Sequence, residues 1–145
     1  MGPCTAQRKA RSLGAPGTVT RYLLDAAFLI DYLRGNPDAT DRMRRIFEEG
    51  DEPLVNEVVV GECWTGAHDD DDRDLVGLLR PLEFIQPGPE AARQAGRWRS
   101  DARNRGRTLD LPDALIAAAA EAAGAIVLTR NVRDFALTPV RVESY

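Results

Sequence analysis

The sequence predicts an α/β fold with helices on both faces of a parallel central sheet. Short apolar runs at 21–24, 53–56, 82–85 and 125–129 have strand length, and the stretches between them repeat apolar residues at helical spacing. Gly, Pro and Asn punctuate the junctions. Strands that alternate with helices pair in parallel, and crossover helices then bury the sheet on both sides.

The elements follow in order. Residues 21–24 form a first strand, and Asp25 leads from it into a helix through Phe28, Leu29, Tyr32 and Leu33. Gly35, Asn36 and Pro37 break that helix. Asp38 or Thr40 caps the next, which carries Met43, Ile46 and Phe47 on one face and closes at Gly50. Residues 53–56 form a buried strand, and a helix from Val58 onward holds Glu62, Cys63 and Trp64. The acidic run 69–74 repels itself and suits a solvated turn or helix start, which Leu75 to Leu79 continue. After a strand at 82–85, Pro87 and Pro89 precede a long helix over 90–104 that Gly106 ends. Pro112 fits the first turn of an alanine-rich helix over 114–123, with Gly124 as its stop. A buried strand at 125–129, a helical turn at 131–135 and an edge strand at 140–143 complete the chain.

Composition excludes several classes. A length of 145 residues, 43% hydrophobic and 29% charged, is that of one ordinary globular domain. The longest apolar run, 114–120, is far below the roughly 20 residues of a membrane span. Cys4 and Cys63 provide neither a disulfide framework nor zinc spacing, so a reducing cytoplasm is expected. Residues 1–19 contain basic side chains but no apolar core of a secretory signal, and read as a flexible tail ahead of a domain at 20–145. The net charge of −4 provides no global basic field for nucleic acid. Arginines do concentrate locally, at 93, 97, 99, 103, 105 and 107.

Ligands of such sheets bind beyond the carboxyl ends of the strands. Asp25 directly follows a strand, Glu62 lies one turn into the helix after the second, Asp113 opens the alanine-rich helix, and Asp134 follows the 125–129 strand. Carboxylates gathered there repel one another and retain protons unless a cation neutralises them. Oxygen donors with water completing the shell suit Mg²⁺, or Mn²⁺ in its place, better than Zn²⁺. Such an ion supports hydrolysis of a phosphodiester. A histidine pair is excluded because His68 is alone, and no phosphate-binding glycine loop or GxSxG elbow occurs. Position alone leaves Asp113 explicable as a helix-start acid and Asp25 as a loop residue. Glu62 has the best independent warrant: among Val58, Val59, Val60, Cys63 and Trp64, a charge on a buried face requires a metal or a partner.

These residues resemble the PIN-domain ribonucleases, and within them the VapC toxins of bacterial toxin–antitoxin pairs. The resemblance rests on 24–35 (LDAAFLIDYLRG), 60–62 (VGE), 113–118 (DALIAA) and 129–135 (TRNVRDF), and covers 22–142. It implies a PIN-like three-layer α/β/α fold and a Mg²⁺-dependent endoribonuclease held inactive by a cognate antitoxin. Asp25, Glu62 and Asp113 match the family's metal-site acids, with Asp25 and Asp113 as metal ligands. The fourth acid falls at Asp134 or is replaced by Asn131, with Asp110 a further substitute. The resemblance also implies a homodimer and DNA contact only through the antitoxin. The family's usual hydroxyl after the first aspartate is Ala26 here, so whatever that hydroxyl contributes to metal or substrate is missing. Arg97, Arg99 and Arg103 are candidates to line an RNA groove, and Trp64 and Trp98 read as core or dimer contacts.

The principal alternative is a catalytically weak or inactive PIN-like module that binds RNA or protein. A phosphoacceptor receiver domain needs a lysine after its last strands, and the chain's lysine is Lys9. A haloacid-dehalogenase-like phosphatase needs an aspartate where Ala27 stands.

Overall fold

The computed structural model describes residues 18–145. The expected tail therefore lies outside the described residues except for Thr18 and Val19, as do Cys4 and Lys9. Five strands pair in one parallel sheet in the order β3-β2-β1-β4-β5: β1 (Arg21–Leu24), β2 (Glu52–Val55), β3 (Glu83–Phe84), β4 (Ala125–Leu128) and β5 (Val142–Glu143). Helices α1 (Ala26–Leu33), α2 (Pro37–Glu48), α3 (Glu57–Thr65), α4 (Asp72–Leu79), α5 (Pro89–Asn104) and α6 (Leu111–Ala123) cover its two faces, as the alternation requires. Short 3₁₀ turns at Asp69–Asp71 and Val132–Phe135 fill out the connections.

The sheet centre is wholly apolar because both its faces are covered. Leu23, Leu24, Leu54, Val55, Val127 and Leu128 are buried on β1, β2 and β4, and Phe28 and Leu29 of α1 are fully buried with them. Helix α6 packs on β1, β4 and α5, burying Ala114, Ile116 and Ala117 to Ala120. Helix α1 packs on α2 and α3. The chain therefore moves from β1 outward to β3, then returns past β1 to β4, and residues after β1 and β4 flank the place where the strand order reverses.

Several local expectations need correction. Asn36, rather than Asp38 or Thr40, caps α2, its side-chain oxygen accepting from the Ala39 amide at 3.0 Å. That moves the helix start ahead of Pro37, whose missing N–H is harmless in the first turn. Phe47 does not share the buried face of Met43 and Ile46; it is 52% exposed, because a position directly following Ile46 is rotated about 100° away from it. Asn56 is likewise no strand residue but the cap of α3, accepting from Val59. Gly124 ends α6 in the left-handed conformation (φ 64°), which a residue with Cβ rarely adopts.

Candidate active site

Asp25 is the N-cap of α1 at the carboxyl end of β1. Its amide donates to the Leu128 carbonyl on β4 at 3.0 Å, so the backbone bond of the sheet fixes where its side chain begins. One carboxylate oxygen accepts from the Ala26 amide at 2.9 Å, and the other from the Thr129 hydroxyl at 2.7 Å. Thr129 is fully buried, and its Oγ1 also accepts from the Asn131 amide at 2.9 Å. One hydroxyl thus links Asp25 to the turn that carries Asn131 and Asp134. Burial raises the proton affinity of Asp25; the bonds from Thr129 and Ala26 and the charge of Arg130 only partly offset it, and the charge of Asp134 adds to it. Sequence reasoning missed Thr129. The available signal was indirect: a buried aspartate beside the end of β4 needs a second donor, and Thr129 is the hydroxyl there.

Asp113 stands in the first turn of α6, which delivers it to the same edge of the sheet because α6 runs back toward the start of β4. Capping does not account for it, since Asp110 is the N-cap and neither carboxylate makes a capping hydrogen bond. A helix N-terminus lowers a carboxylate's pKa, yet Asp113 is pushed up to about 7, by partial burial first and then by the charges of Asp134, Asp25, Glu62 and Asp110. Repulsion and desolvation here outweigh the dipole. Glu62 is raised by partial burial and by the charge of Asp25. It is nevertheless an exposed residue, so the expectation of a buried charge with a partner is corrected: Val59 and Cys63 turn inward while Glu62 is turned to solvent. Asp134 is exposed on the 3₁₀ turn, and its charge acts on both Asp25 and Asp113. Asp110 acts on Asp113 alone and least among the four acids.

Asp25, Glu62, Asp113 and Asp134 therefore share one electrostatic field at the carboxyl edge. They do not form a closed cage: among the described residues no group of three or more His, Cys, Asp and Glu side chains converges on a metal position. A hard ion that keeps most of its water shell needs few protein ligands. The donor set fits such an ion. It is all oxygen, and the buried Cys63 thiol behind it is pushed up to about 12, by burial first and then by Asp25 and Glu62, so it offers no thiolate.

The arginines divide. Arg99 is half-buried, and its Nε donates to the Leu109 carbonyl at 2.9 Å, so it ties α5 to the loop before Asp110. Arg97 and Arg103 are exposed. Trp98 is buried in the core, Trp64 is 39% exposed, and His68 is on the surface.

Comparison with known proteins fits this geometry. The PIN domain family model matches residues 22–139. The chain belongs to the PIN-domain family. This PIN domain is 31% identical over 117 residues to Ribonuclease VapC19 of Mycobacterium tuberculosis, covering 81% of the chain and 94% of that relative. VapBC2 from Rickettsia felis, bound to a DNA fragment from its promoter, superposes with a TM-score of 0.74 at 18% identity, over 86% of this chain and 98% of the other. A toxin–antitoxin complex from Klebsiella pneumoniae gives a TM-score of 0.65 at 25% identity, over 81% and 92% of the two chains.

Proposed function

We propose that this PIN domain is a metal-dependent endoribonuclease that hydrolyses RNA phosphodiester bonds as the toxin of a toxin–antitoxin pair. The observation that supports the reading is that Asp25, Glu62, Asp113 and Asp134 act on one another's charge at the carboxyl edge of the sheet, where burial and like charge raise the proton affinity of Asp25, Glu62 and Asp113. Identity to a relative named a ribonuclease supports RNA as substrate, and likeness to toxin–antitoxin complexes supports a cognate antitoxin. Residues 20–145 form the catalytic domain in this reading, a homodimer that contacts DNA only through its antitoxin. No helix among the described residues is long and apolar enough to cross a membrane, and the cytoplasm is the proposed site of action.

Asp25 and Asp113 hold the ion, which we assign as Mg²⁺ with Mn²⁺ as a substitute. When bound, it supplies positive charge that neutralises the acids and polarises water and phosphate. The chain does the rest. Thr129 and the Ala26 amide each donate to one oxygen of Asp25, which orients this acid. Thr129 also supplies a hydroxyl to Asp25 in a site where Ala26 cannot. Glu62, exposed at the cleft with raised proton affinity, accepts the proton of the attacking water on its carboxylate. Asp134, which follows the turn held by Thr129, is the fourth acid; Asn131 lends its amide to Thr129, and Asp110 acts least of the four acids on Asp113.

The test is cleavage of structured RNA by the purified chain in Mg²⁺, compared with Asp25→Asn and Asp113→Asn and with excess chelator. The expected result is cleavage by the wild type and at least a hundredfold loss in the other samples. Equal rates in all of them would refute the enzyme, and binding without cleavage would identify a binding module.

A further inference from the structure

The acids alone make a poor landing site for RNA, since each phosphate approaching them meets like charge. A cation lies close in sequence to the hydroxyl that holds Asp25. Arg130 follows Thr129 directly, and its positive charge acts on Asp25. Its guanidinium is ion-paired through Nη1 with the carboxylate of Asp31 on α1. The other oxygen of Asp31 accepts from the Tyr145 hydroxyl at 2.5 Å. The Tyr145 ring in turn stands edge-on to Phe28, centroids 4.8 Å apart and planes at 79°, and Phe28 is fully buried. The chain of contacts runs from core to rim, joining segments far apart in sequence.

The two ends of the ion pair differ in exposure: the Asp31 side chain is 15% exposed and that of Arg130 is 52%. Burial opposes ionisation of Asp31, but the hydrogen bonds from Tyr145 and Arg130, with the charges of Arg130 and Arg34, outweigh it and hold its carboxyl below the usual range. Asp31 therefore favours its ionised form beside Arg130. A guanidinium carries five N–H donors in a rigid fork, and the contact with Asp31 leaves an outward edge of this one in water.

We propose that Arg130 is a phosphodiester-binding residue at the lip of the acid cleft, held there by Asp31 and Tyr145. This rests on the ribonuclease reading above and names how that site receives its substrate. The fork matches two oxygens of one phosphate, so a backbone phosphate next to the reacting one docks on Arg130 while the acids receive its neighbour. Because Asp31 already fixes the guanidinium, little side-chain freedom is lost on binding.

The experiment measures KM and kcat for RNA cleavage in Mg²⁺. It also measures binding of a labelled single-stranded oligoribonucleotide at several salt concentrations, in an Asp25→Asn background that does not turn over. Arg130→Gln should raise KM at least tenfold and lower the salt slope of binding by about 0.7. Arg130→Lys keeps the charge but loses the fork, so it should raise KM several-fold with the slope retained; it also serves if the glutamine variant fails to fold. Arg44→Gln is the control, an exposed arginine on α2 paired with Asp41 and Glu48, and should leave both values unchanged. Wild-type KM and slope in Arg130→Gln, or an equal change in Arg44→Gln, would overturn the proposal and leave the ribonuclease reading intact. A wild-type chain that neither binds nor cleaves RNA would overturn both.

Discussion

Replacing Asp113 with Asn should abolish cleavage and stabilise the metal-free protein at neutral pH. The carboxyl is raised from 3.8 to about 7 by partial burial and by its acidic neighbours. The sign follows from proton counting. Folded Asp113 keeps a proton that the unfolded chain releases, so its contribution to stability is complete below about pH 4 and is lost as pH rises through about 7. At about 1.4 kcal/mol per unit, a shift of that size has a ceiling of about 4 kcal/mol, and solvent screening at a half-exposed side chain reduces it to about 1–2 kcal/mol. Asparagine has no charge to repel, so its advantage over the wild type should be near zero at pH 4 and about 1–2 kcal/mol at pH 8. Urea unfolding in chelator, followed by circular dichroism at both pH values, measures that gap, and background titrations common to both chains cancel in the difference. Adding Mg²⁺ at pH 8 should stabilise the wild type in proportion to the logarithm of ion concentration and the variant far less. A wild type equal to or more stable than Asp113→Asn at pH 8 without metal would refute the argument that the acids repel one another.

Other expectations follow from the same structure. Thr129→Val removes the donor to Asp25 and the acceptor for the Asn131 amide, and should cost about 1–3 kcal/mol of stability and at least tenfold in kcat; Thr129→Ser should restore most of both, as denaturation and steady-state cleavage will read. Phe28→Ala empties a fully buried site under β1 and should destabilise by about 3–5 kcal/mol in urea. Cys63, buried with its thiol pushed up to about 12, should resist alkylation at pH 8 until denaturant is added; rapid labelling of the native protein would contradict its placement.

The sheet was legible because its strands are short apolar runs bounded by turn residues, and the predicted strands at 21–24 and 125–129 lie within a residue of β1 and β4. Parallel order followed from the alternation alone. The candidate site was legible in part: position alone left Asp25 explicable as a loop residue and Asp113 as a helix-start acid, Glu62 had the best independent warrant, and the family resemblance joined them with Asp134. What escaped were relations that periodicity does not encode. Thr129 meets Asp25 across 104 positions, and Tyr145 meets Asp31 across 114. The choice among Asn36, Asp38 and Thr40 as a cap, and the outward turn of Phe47, depend on a helix phase that a one-residue change in start position alters.

Helix α6 sets a mechanical tolerance on the cleft. It is 13 residues, about 20 Å, with Asp113 at one end and the Gly124 turn at the other. Between them it buries the methyl groups of Ala114 and Ala117 to Ala120 together with the larger side chain of Ile116. A methyl has no rotamer with which to absorb a misfit, so at the alanine positions the packing of α6 on its neighbours has little slack, as a shim leaves little in a bearing. Thickening that shim by a few carbons lifts the whole rod, and Asp113 rises with it. The position of Asp113 is thus set in part some distance from any other acid, by how little side chain the helix carries at its alanines.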